Sequence, residues 1–251
     1  MPDRLSWLRA ADLEFRVRFW IVGGVFWLGF SRYSAGDTNF AVSVAQWLAG
    51  AGSPHVTAYT RLILGFGTAL TAAAALIRSW AEAYLHSSVV HDPKLHSERL
   101  TADGPYRFVR NPLYLGNVLL ALGIGTMAGR FGFAIIVAGN IVIVYRLILR
   151  EEAGLLASQG QSYREYFRAV PRLMPALRPR LPVGRARPDW MDGFTGETFM
   201  WGMALGIAAF TVTLRIVYWA VPAGAGFAVY AVQAVRRRAS PNSGASTEPR
   251  P

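Results

Sequence analysis

The chain has 251 residues, of which 53% are hydrophobic and only 16% are charged, and its formal net charge is +11. The charged fraction lies below the roughly 25% of soluble domains and the apolar residues form long blocks, so the composition favours an integral membrane protein. The chain has no cysteine, which excludes disulfides and thiol nucleophiles, and its basic residues lie between the apolar blocks, which is typical of membrane topology and not of nucleic-acid binding.

Six apolar blocks follow one another along the chain and predict membrane helices. They span residues 19–30, 62–77, 113–128, 131–149, 199–221 and, after Pro222, 223–235. Several are shorter than the ~20 residues of a straight crossing, so we expect flanking Tyr, Trp and Arg side chains to extend them. We predict an all-α integral membrane protein with about five to six transmembrane helices.

Arg and Lys side chains predict the orientation of these helices. With a cytoplasmic N-terminus, segments 1–18, 78–112 and 150–198 carry four, five and eight of them. The opposite side carries only Arg32, Arg61 and Arg130. The positive-inside rule therefore predicts that both long polar segments face the cytoplasm, most simply at an inner membrane.

Composition divides the chain into four regions. They are N-terminal membrane helices (1–90), a core with the polar motifs (91–180), a C-terminal loop with one or more membrane helices (181–238) and a tail of disordered composition (239–251). Arg236, Arg237 and Arg238 favour the cytoplasmic side, so we expect 223–235 either to cross the membrane or to lie at its surface.

Residues 113–149 predict a helical hairpin closed by Ala128–Gly129–Arg130. Its first arm begins at Pro112 and runs about 16 residues, or ~24 Å at 1.5 Å per residue. An equal return reaches roughly Leu147. Glu151 and Glu152 should therefore emerge about one turn beyond the level of Pro112, on the same membrane face.

The two polar features that the hairpin brings together have complementary chemistry. Asn111 is a good helix cap and Pro112 a good first helical residue, and a helix N-terminus at the interface suits anionic groups. Glu151 and Glu152 oppose the dipole at the end of the returning helix, so they indicate a cationic ligand group such as an amine or a sulfonium.

Structural interpretations stay open for these motifs. Asn111–Pro112 can serve only to start a helix, and the two glutamates can pair with Arg146, Arg150 or Arg164. Gly123 and Gly125 indicate close helix packing in preference to a phosphate loop. His86, His91 and His96 recur every five residues, which matches no single helical face, so we predict no metal site.

In combination, these motifs resemble the isoprenylcysteine carboxyl methyltransferase and phospholipid methyltransferase superfamily. The family pattern is Gly-x-Tyr, Arg-His-Pro-x-Tyr-x-Gly, a helical pair, Glu-Glu, Gly-x-x-Tyr-x-x-Tyr and Val-Pro. Here it is found as Gly104-Pro-Tyr106, Arg110-Asn-Pro-Leu-Tyr114-Leu-Gly116, Glu151-Glu152, Gly160-x-x-Tyr163-x-x-Tyr166 and Val170-Pro171, with Pro175 beyond. The resemblance covers about residues 91–178.

The resemblance implies a membrane-embedded methyltransferase that binds S-adenosylmethionine at the cytoplasmic interface. In the family, the cofactor is contacted by the tyrosine of Gly-x-Tyr, by the His-Pro-x-Tyr run and by the Glu-Glu motif. The segment that precedes the motif also contributes in eukaryotic members, and its position here is inferred from the spacing. The cofactor-binding residues implied here are His91, Leu100, Thr101, Tyr106, Asn111, Pro112, Leu113, Tyr114, Glu151 and Glu152.

The sequence departs from the family pattern at two positions. Asn111 replaces the family's histidine, so this position can form hydrogen bonds but cannot titrate. Prenylcysteine enzymes carry a substrate-facing arginine four residues before the first glutamate, where this chain has Leu147. Arg146 and Arg150 are the neighbouring candidates for orienting an acceptor, and the replacement weakens the case for a prenylcysteine carboxylate.

The predicted function is methyl transfer from S-adenosylmethionine to a lipophilic acceptor, with no residue evident as a base. The acceptor stays open between a prenylcysteine carboxylate, a phospholipid amine, a quinone or isoprenoid precursor, a fatty acid and a small thiol, and the oligomeric state is open. Residues Trp190, Phe194, Glu197 and Trp201 either shape acceptor choice or form an interfacial aromatic belt. Two alternatives are an NADPH-dependent membrane reductase of the sterol-reductase type, which has a similar Arg-His-Pro module, and a non-catalytic membrane scaffold.

Overall fold

The structure is a computed structural model that describes residues 8–90 and 102–239. Within these ranges the regular elements are helical. The helices are α1 Asp12–Arg16, α2 Arg18–Ser31, α3 Phe40–Ala49, α4 Val56–Val90, α5 Pro112–Gly125, α6 Arg130–Ala169, α7 Trp190–Gly196, α8 Thr198–Thr213 and α9 Ile216–Ala239, with 3-10 turns at Arg32–Ala35 and Gly104–Arg107. The predicted site residues His91, Leu100 and Thr101, and the predicted tail from residue 240 onward, lie outside the described residues.

Three helices of the described ranges are long and apolar enough to cross a membrane. Their spans are Val56–Leu85, Arg130–Ala169 and Ile216–Gln233. Shorter apolar helices are Phe40–Ala49, Pro112–Gly125 and Thr198–Thr213. The prediction of an all-helical protein with several apolar helices is confirmed, although the predicted blocks divide into long and short helices. Helix α3 was not predicted, because ten residues are too few to stand out as a membrane block.

The predicted hairpin is present as α5 and α6, joined by the turn 126–129. Helix α4 packs along α5, and glycines bring the two backbones together. A β-carbon on Gly123 would lie 2.5 Å from the carbonyl oxygen of Gly67, so the close-packing interpretation of Gly123 is confirmed. Leu64 on α4, Ile124 on α5 and Ile207 on α8 share one buried core.

Helix α6 bends sharply at Gly160, whose φ of 55° and ψ of −121° are non-helical. A side chain would be strained in this conformation, which explains the glycine. The bend turns the end of α6 toward the 3-10 turn Gly104–Arg107. The Tyr166 hydroxyl donates to the carbonyl oxygen of Tyr106 at 3.0 Å, and the Arg110 amide donates to that of Pro171 at 2.9 Å.

The C-terminal apolar residues form a helical hairpin that the sequence did not predict correctly. The block 199–221 was expected to be one helix that ends at Pro222, but α8 ends at Thr213 and Leu214 adopts a left-handed φ of 54°. Pro222 lies inside α9. The expected boundary was wrong because both helices are apolar on every side, so hydrophobic periodicity gives no signal where one ends.

Small residues let α8 and α9 approach closely, and we expect Gly202→Val to destabilise the protein by about 1–3 kcal/mol. A β-carbon at Gly202 would lie 2.7 Å from the carbonyl oxygen of Pro222 and 2.9 Å from the α-carbon of Gly226. The matched control is Gly224→Val, because Gly224 has no neighbour within 4 Å of that position. Thermal unfolding in detergent measures the stability of the two variants. Equal melting midpoints would contradict the close packing of α8 against α9 at Gly202.

Candidate functional site

The two ends of the α5–α6 hairpin meet at the Tyr114–Glu151 pair. The Tyr114 hydroxyl donates to Glu151 Oε1 at 2.7 Å, and both side chains are half-buried. Tyr114 lies in the first turn of α5, and Glu151 lies on α6 beyond its apolar part. The fixed rise of a helix predicted this proximity, and the structure brings the two motifs together.

Glu152 lies next to this pair but belongs to a separate buried group, the Glu152 cluster, formed with Arg110, Asn111 and Arg172. Its side chain is only 3% exposed. Glu152 Oε1 lies 3.3 Å from Arg110 Nη2 and accepts from Asn111 Nδ2 at 3.2 Å. Glu152 Oε2 accepts from Arg172 Nε at 2.9 Å. Both oxygens of Glu152 are therefore occupied within the protein, whereas Glu151 faces Tyr114.

The glutamates do not pair as the sequence suggested. Arg146 bonds Glu14 at 2.7 Å, and Arg150 bonds Asp12 at 2.5 Å. Glu152 pairs with Arg110 and Arg172 and not with Arg146 or Arg150. The alternative that the glutamates pair with Arg146 or Arg150 is not observed, because the end of α6 turns back at Gly160 and carries Arg172 to the start of α5.

Arg146 and Arg150 instead hold the N-terminal segment against α6. The Ala10 amide donates to the carbonyl oxygen of Arg146 at 3.2 Å, and Arg150 donates to that of Ala10 at 3.0 Å. The hydrogen bond from Arg146 lowers the pKa of the Glu14 carboxyl. Both predicted acceptor-orienting arginines are therefore engaged within the chain.

Asn111 precedes α5 but does not cap it with its side chain, so that part of the prediction was wrong. Its amide nitrogen donates to Glu152 and, at 3.0 Å, to the carbonyl oxygen of Arg172. The side chain does not cap the helix because its amide group is already engaged as a donor in the Glu152 cluster. Within the described ranges no side chain accepts from the first N–H groups of α5, which begins at the buried Pro112. The positive end of this helix stays available to an anionic group.

A second polar group, the partly buried Arg78 cluster, consists of Arg78, Asn117 and Glu197, and sequence reasoning did not predict its contacts. Arg78 Nε and Nη2 donate to the two oxygens of Glu197 at 2.8 and 2.7 Å. Arg78 Nη1 donates to Asn117 Oδ1 at 2.9 Å and to the carbonyl oxygen of Leu113 at 3.2 Å. Arg78 thus ties the first turn of α5 to the start of α8. The signal available in the sequence was a charge within an otherwise apolar helix.

Tyr106 lies close enough to Arg78 and Glu197 to feel their charges, and it is only 8% exposed. Burial raises the pKa of its phenol, the carboxylates of Glu82, Glu151 and Glu197 act in the same direction, and Arg78 opposes them. Burial likewise raises the pKa of Glu197, although Arg78 opposes the shift. Glu197 is neutralised by Arg78, so the remaining negative charges acting on Tyr106 come from Glu82 and Glu151.

The predicted aromatic segment after Pro182 packs against α4. The Phe194 ring lies 6.2 Å from the Trp190 ring and 5.7 Å from the Trp201 ring. The Trp201 indole donates to Ser79 Oγ at 3.0 Å.

Residues 58–159 match the family model described as phospholipid methyltransferase. This part of the chain is therefore similar to the phospholipid methyltransferase family. The matched residues include α5, Tyr114 and both glutamates, which confirms the superfamily recognised from the motifs. This is a family of membrane methyltransferases, in agreement with the apolar helices of the chain.

Three curated relatives show which proteins the methyltransferase domain resembles. The cobalt-zinc-cadmium resistance protein CzcN of Cupriavidus metallidurans is 30% identical over 129 residues, which are 51% of this chain and 55% of that protein. The protein-S-isoprenylcysteine O-methyltransferase of Schizosaccharomyces pombe is 30% identical over 95 residues, 36% of this chain and 39% of that protein. The methanethiol S-methyltransferase of Mycobacterium tuberculosis is 41% identical over 71 residues, 28% of each.

The chain spans about half or less of the length of the curated relatives it matches. No solved structure matches it at a comparable level. Neither the membrane-reductase alternative nor the scaffold alternative is supported by these comparisons.

Proposed function

We propose that this protein transfers the methyl group of S-adenosylmethionine to a lipophilic acceptor at the cytoplasmic face of an inner membrane. The Tyr114–Glu151 pair carries this proposal. It places a half-buried carboxylate beside the uncapped N-terminus of α5, within a domain of a methyltransferase family. The excess of Arg and Lys on that face supports the cytoplasmic orientation.

The groups around the start of α5 fit the chemistry of this cofactor, which has a carboxylate, an ammonium and a sulfonium. The helix N-terminus with the amides of Leu113 and Tyr114 suits the carboxylate, and Glu151 suits the ammonium. The rings of Tyr106 and Tyr114 suit the sulfonium through cation–π attraction. Glu152 and Asn111 would act indirectly, by holding the start of α5 against α6.

When bound, the cofactor supplies an electrophilic methyl group, and the protein's task is to bind, align and exclude water. The Glu152 and Arg78 clusters serve alignment, because each ties α5 to a different neighbouring helix. A carboxylate or thiolate acceptor needs no base, whereas an ammonium acceptor must first lose a proton. A lipophilic acceptor would enter from the bilayer between helices.

The surroundings of α6 bear on the choice of acceptor. Arg146 and Arg150 pair with Glu14 and Asp12, and Leu147 is only 3% exposed. None of these three positions offers an unpaired cation to an acceptor carboxylate. The arrangement supports a lipophilic amine or thiol in preference to a prenylcysteine carboxylate.

We expect purified protein in lipid nanodiscs to bind S-adenosylmethionine, and Glu151→Gln to weaken binding at least tenfold while the melting midpoint stays near that of the wild type. The carboxylate would lose its charge-assisted contact with the cofactor ammonium. Titration calorimetry measures binding, and Glu165→Gln is the matched control because Glu165 is exposed on the same helix. A folded wild-type protein that binds no cofactor would refute the proposed function.

A further inference from the structure

An open cleft lies beside the bend of α6, outside the region around Tyr106. Its volume is about 570 Å³, and it is bounded by the end of α6 and the loop that follows. Three arginines line it, Arg110, Arg168 and Arg180, together with the apolar side chains of Phe167 and Met174. Within the described ranges, no carboxylate pairs with Arg168 or Arg180, and both are exposed.

Arg110 lines the inner side of this cleft and is itself buried. Its side chain is 6% exposed, Nη2 pairs with Glu152, and Nη1 donates to the carbonyl oxygen of Phe167 at 3.1 Å. Nε is buried and has no acceptor among the described residues. The cleft therefore has an excess of positive charge, because Arg168 and Arg180 have no carboxylate partner among the described residues.

The cleft lies at the depth of lipid headgroups. From Arg130 to Glu152, helix α6 rises about 33 Å, close to the ~30 Å hydrocarbon core of a bilayer. Arg110 contacts Glu152 and precedes the apolar helix α5 by two residues, so it lies at the membrane face of both helices.

The loop beside the cleft has the composition of a membrane-surface segment. Met174, Leu177 and Val183 are 79%, 102% and 76% exposed. Exposed arginines alternate with them, namely Arg178, Arg180, Arg185 and Arg187. The backbone of this loop is attached to the 3-10 turn Gly104–Arg107, since the Arg180 amide donates to the carbonyl oxygen of Arg107 at 2.8 Å. Exposed apolar side chains interspersed with cations suit the interface of an anionic leaflet, and they would be unfavourable in water.

We propose that this cleft binds the phosphate of an anionic phospholipid, with the headgroup between Arg110, Arg168 and Arg180. Bidentate guanidinium contacts suit phosphate, and Met174 and Leu177 reach the acyl boundary. The site is separate from the proposed cofactor contacts and does not depend on methyl transfer. A lipid bound in this cleft would attach the end of α6 to the membrane surface. Arg172 of the Glu152 cluster follows directly after this end of the helix.

The test measures the melting midpoint of the full chain in nonionic detergent while phosphatidylglycerol or phosphatidylcholine is added. We expect phosphatidylglycerol to raise the midpoint, because a ligand that binds only the folded state stabilises it, and phosphatidylcholine to have little effect. Arg168→Gln combined with Arg180→Gln should weaken the apparent affinity at least tenfold. The control removes the same charge outside the cleft, by Arg164→Gln combined with Arg187→Gln, and should retain the shift.

Each other outcome overturns the proposal. Equal responses to the two lipids would show that charge does not determine binding. Equal losses in the two double variants would show general attraction to a basic surface. A shift of the same size with inorganic phosphate alone would identify a site for free phosphate and not for a lipid.

Discussion

Replacing Glu152 with glutamine is expected to lower the free energy of unfolding by about 3–5 kcal/mol, because it removes one partner of a buried ion cluster. Arg110 and Arg172 would then face each other without a compensating charge. Glutamine preserves the side-chain volume and can still accept a hydrogen bond from Asn111. The loss of stability therefore measures the contribution of the negative charge of Glu152. Chemical unfolding in mixed micelles measures it, and Glu165→Gln is the exposed control on the same helix.

This experiment separates two adjacent carboxylates. Glu151→Gln should keep the stability and lose cofactor binding, whereas Glu152→Gln should lose stability first. Cofactor binding by Glu152→Gln is then measured at a temperature where that variant is folded. A Glu152→Gln protein that unfolds at the denaturant midpoint of the wild type would contradict the structural role of this residue.

Breaking the Arg78–Glu197 pair is the second change with a large expected effect. Arg78→Met leaves a carboxylate that is nearly buried, and Glu197→Gln leaves a guanidinium between α4, α5 and α8. We expect each single variant to be destabilised by about 3 kcal/mol, since removal of one partner leaves an uncompensated buried charge. The double variant should lose less than the sum of the two, with a coupling of about 1–3 kcal/mol.

Unfolding of the four proteins of this double-mutant cycle measures the coupling. Arg61→Met is the matched control, because Arg61 is exposed near the opposite end of α4. Strict additivity of the two single variants would show that Arg78 and Glu197 act independently. Arg78→Met should also weaken cofactor binding at a temperature where it is folded, because Arg78 holds the carbonyl oxygen of Leu113 in the first turn of α5.

Sequence reasoning was most successful where one helix leads directly into the next. The hairpin prediction needs only the rise per residue and a short turn, and it placed Glu151 and Glu152 about one turn beyond Pro112 on the same membrane face. The motif resemblance added the family, which the comparison of residues 58–159 confirms.

Prediction failed where the partner of a residue is set by distant parts of the chain. Arg78 and Glu197 are 119 positions apart, and no local pattern specifies their pairing. The partners of Glu152 depend on the bend at Gly160, which carries Arg172 back to α5. The end of α8 at Leu214 depends on packing against α9, because neither helix has a polar face to mark its limits.

Local rules of composition and helix geometry were sufficient for the membrane class, the α5–α6 hairpin and the meeting of its two polar ends. The tertiary structure decided which of two neighbouring glutamates is held inside a buried ion cluster and which pairs with Tyr114. The physical reason is that adjacent positions on a helix point about 100° apart, so Glu152 meets Arg110 and Arg172 while Glu151 meets Tyr114. The start of α5 and the chain after Gly160 pack against the Glu152 side of α6, and this packing determines which of the two glutamates is buried.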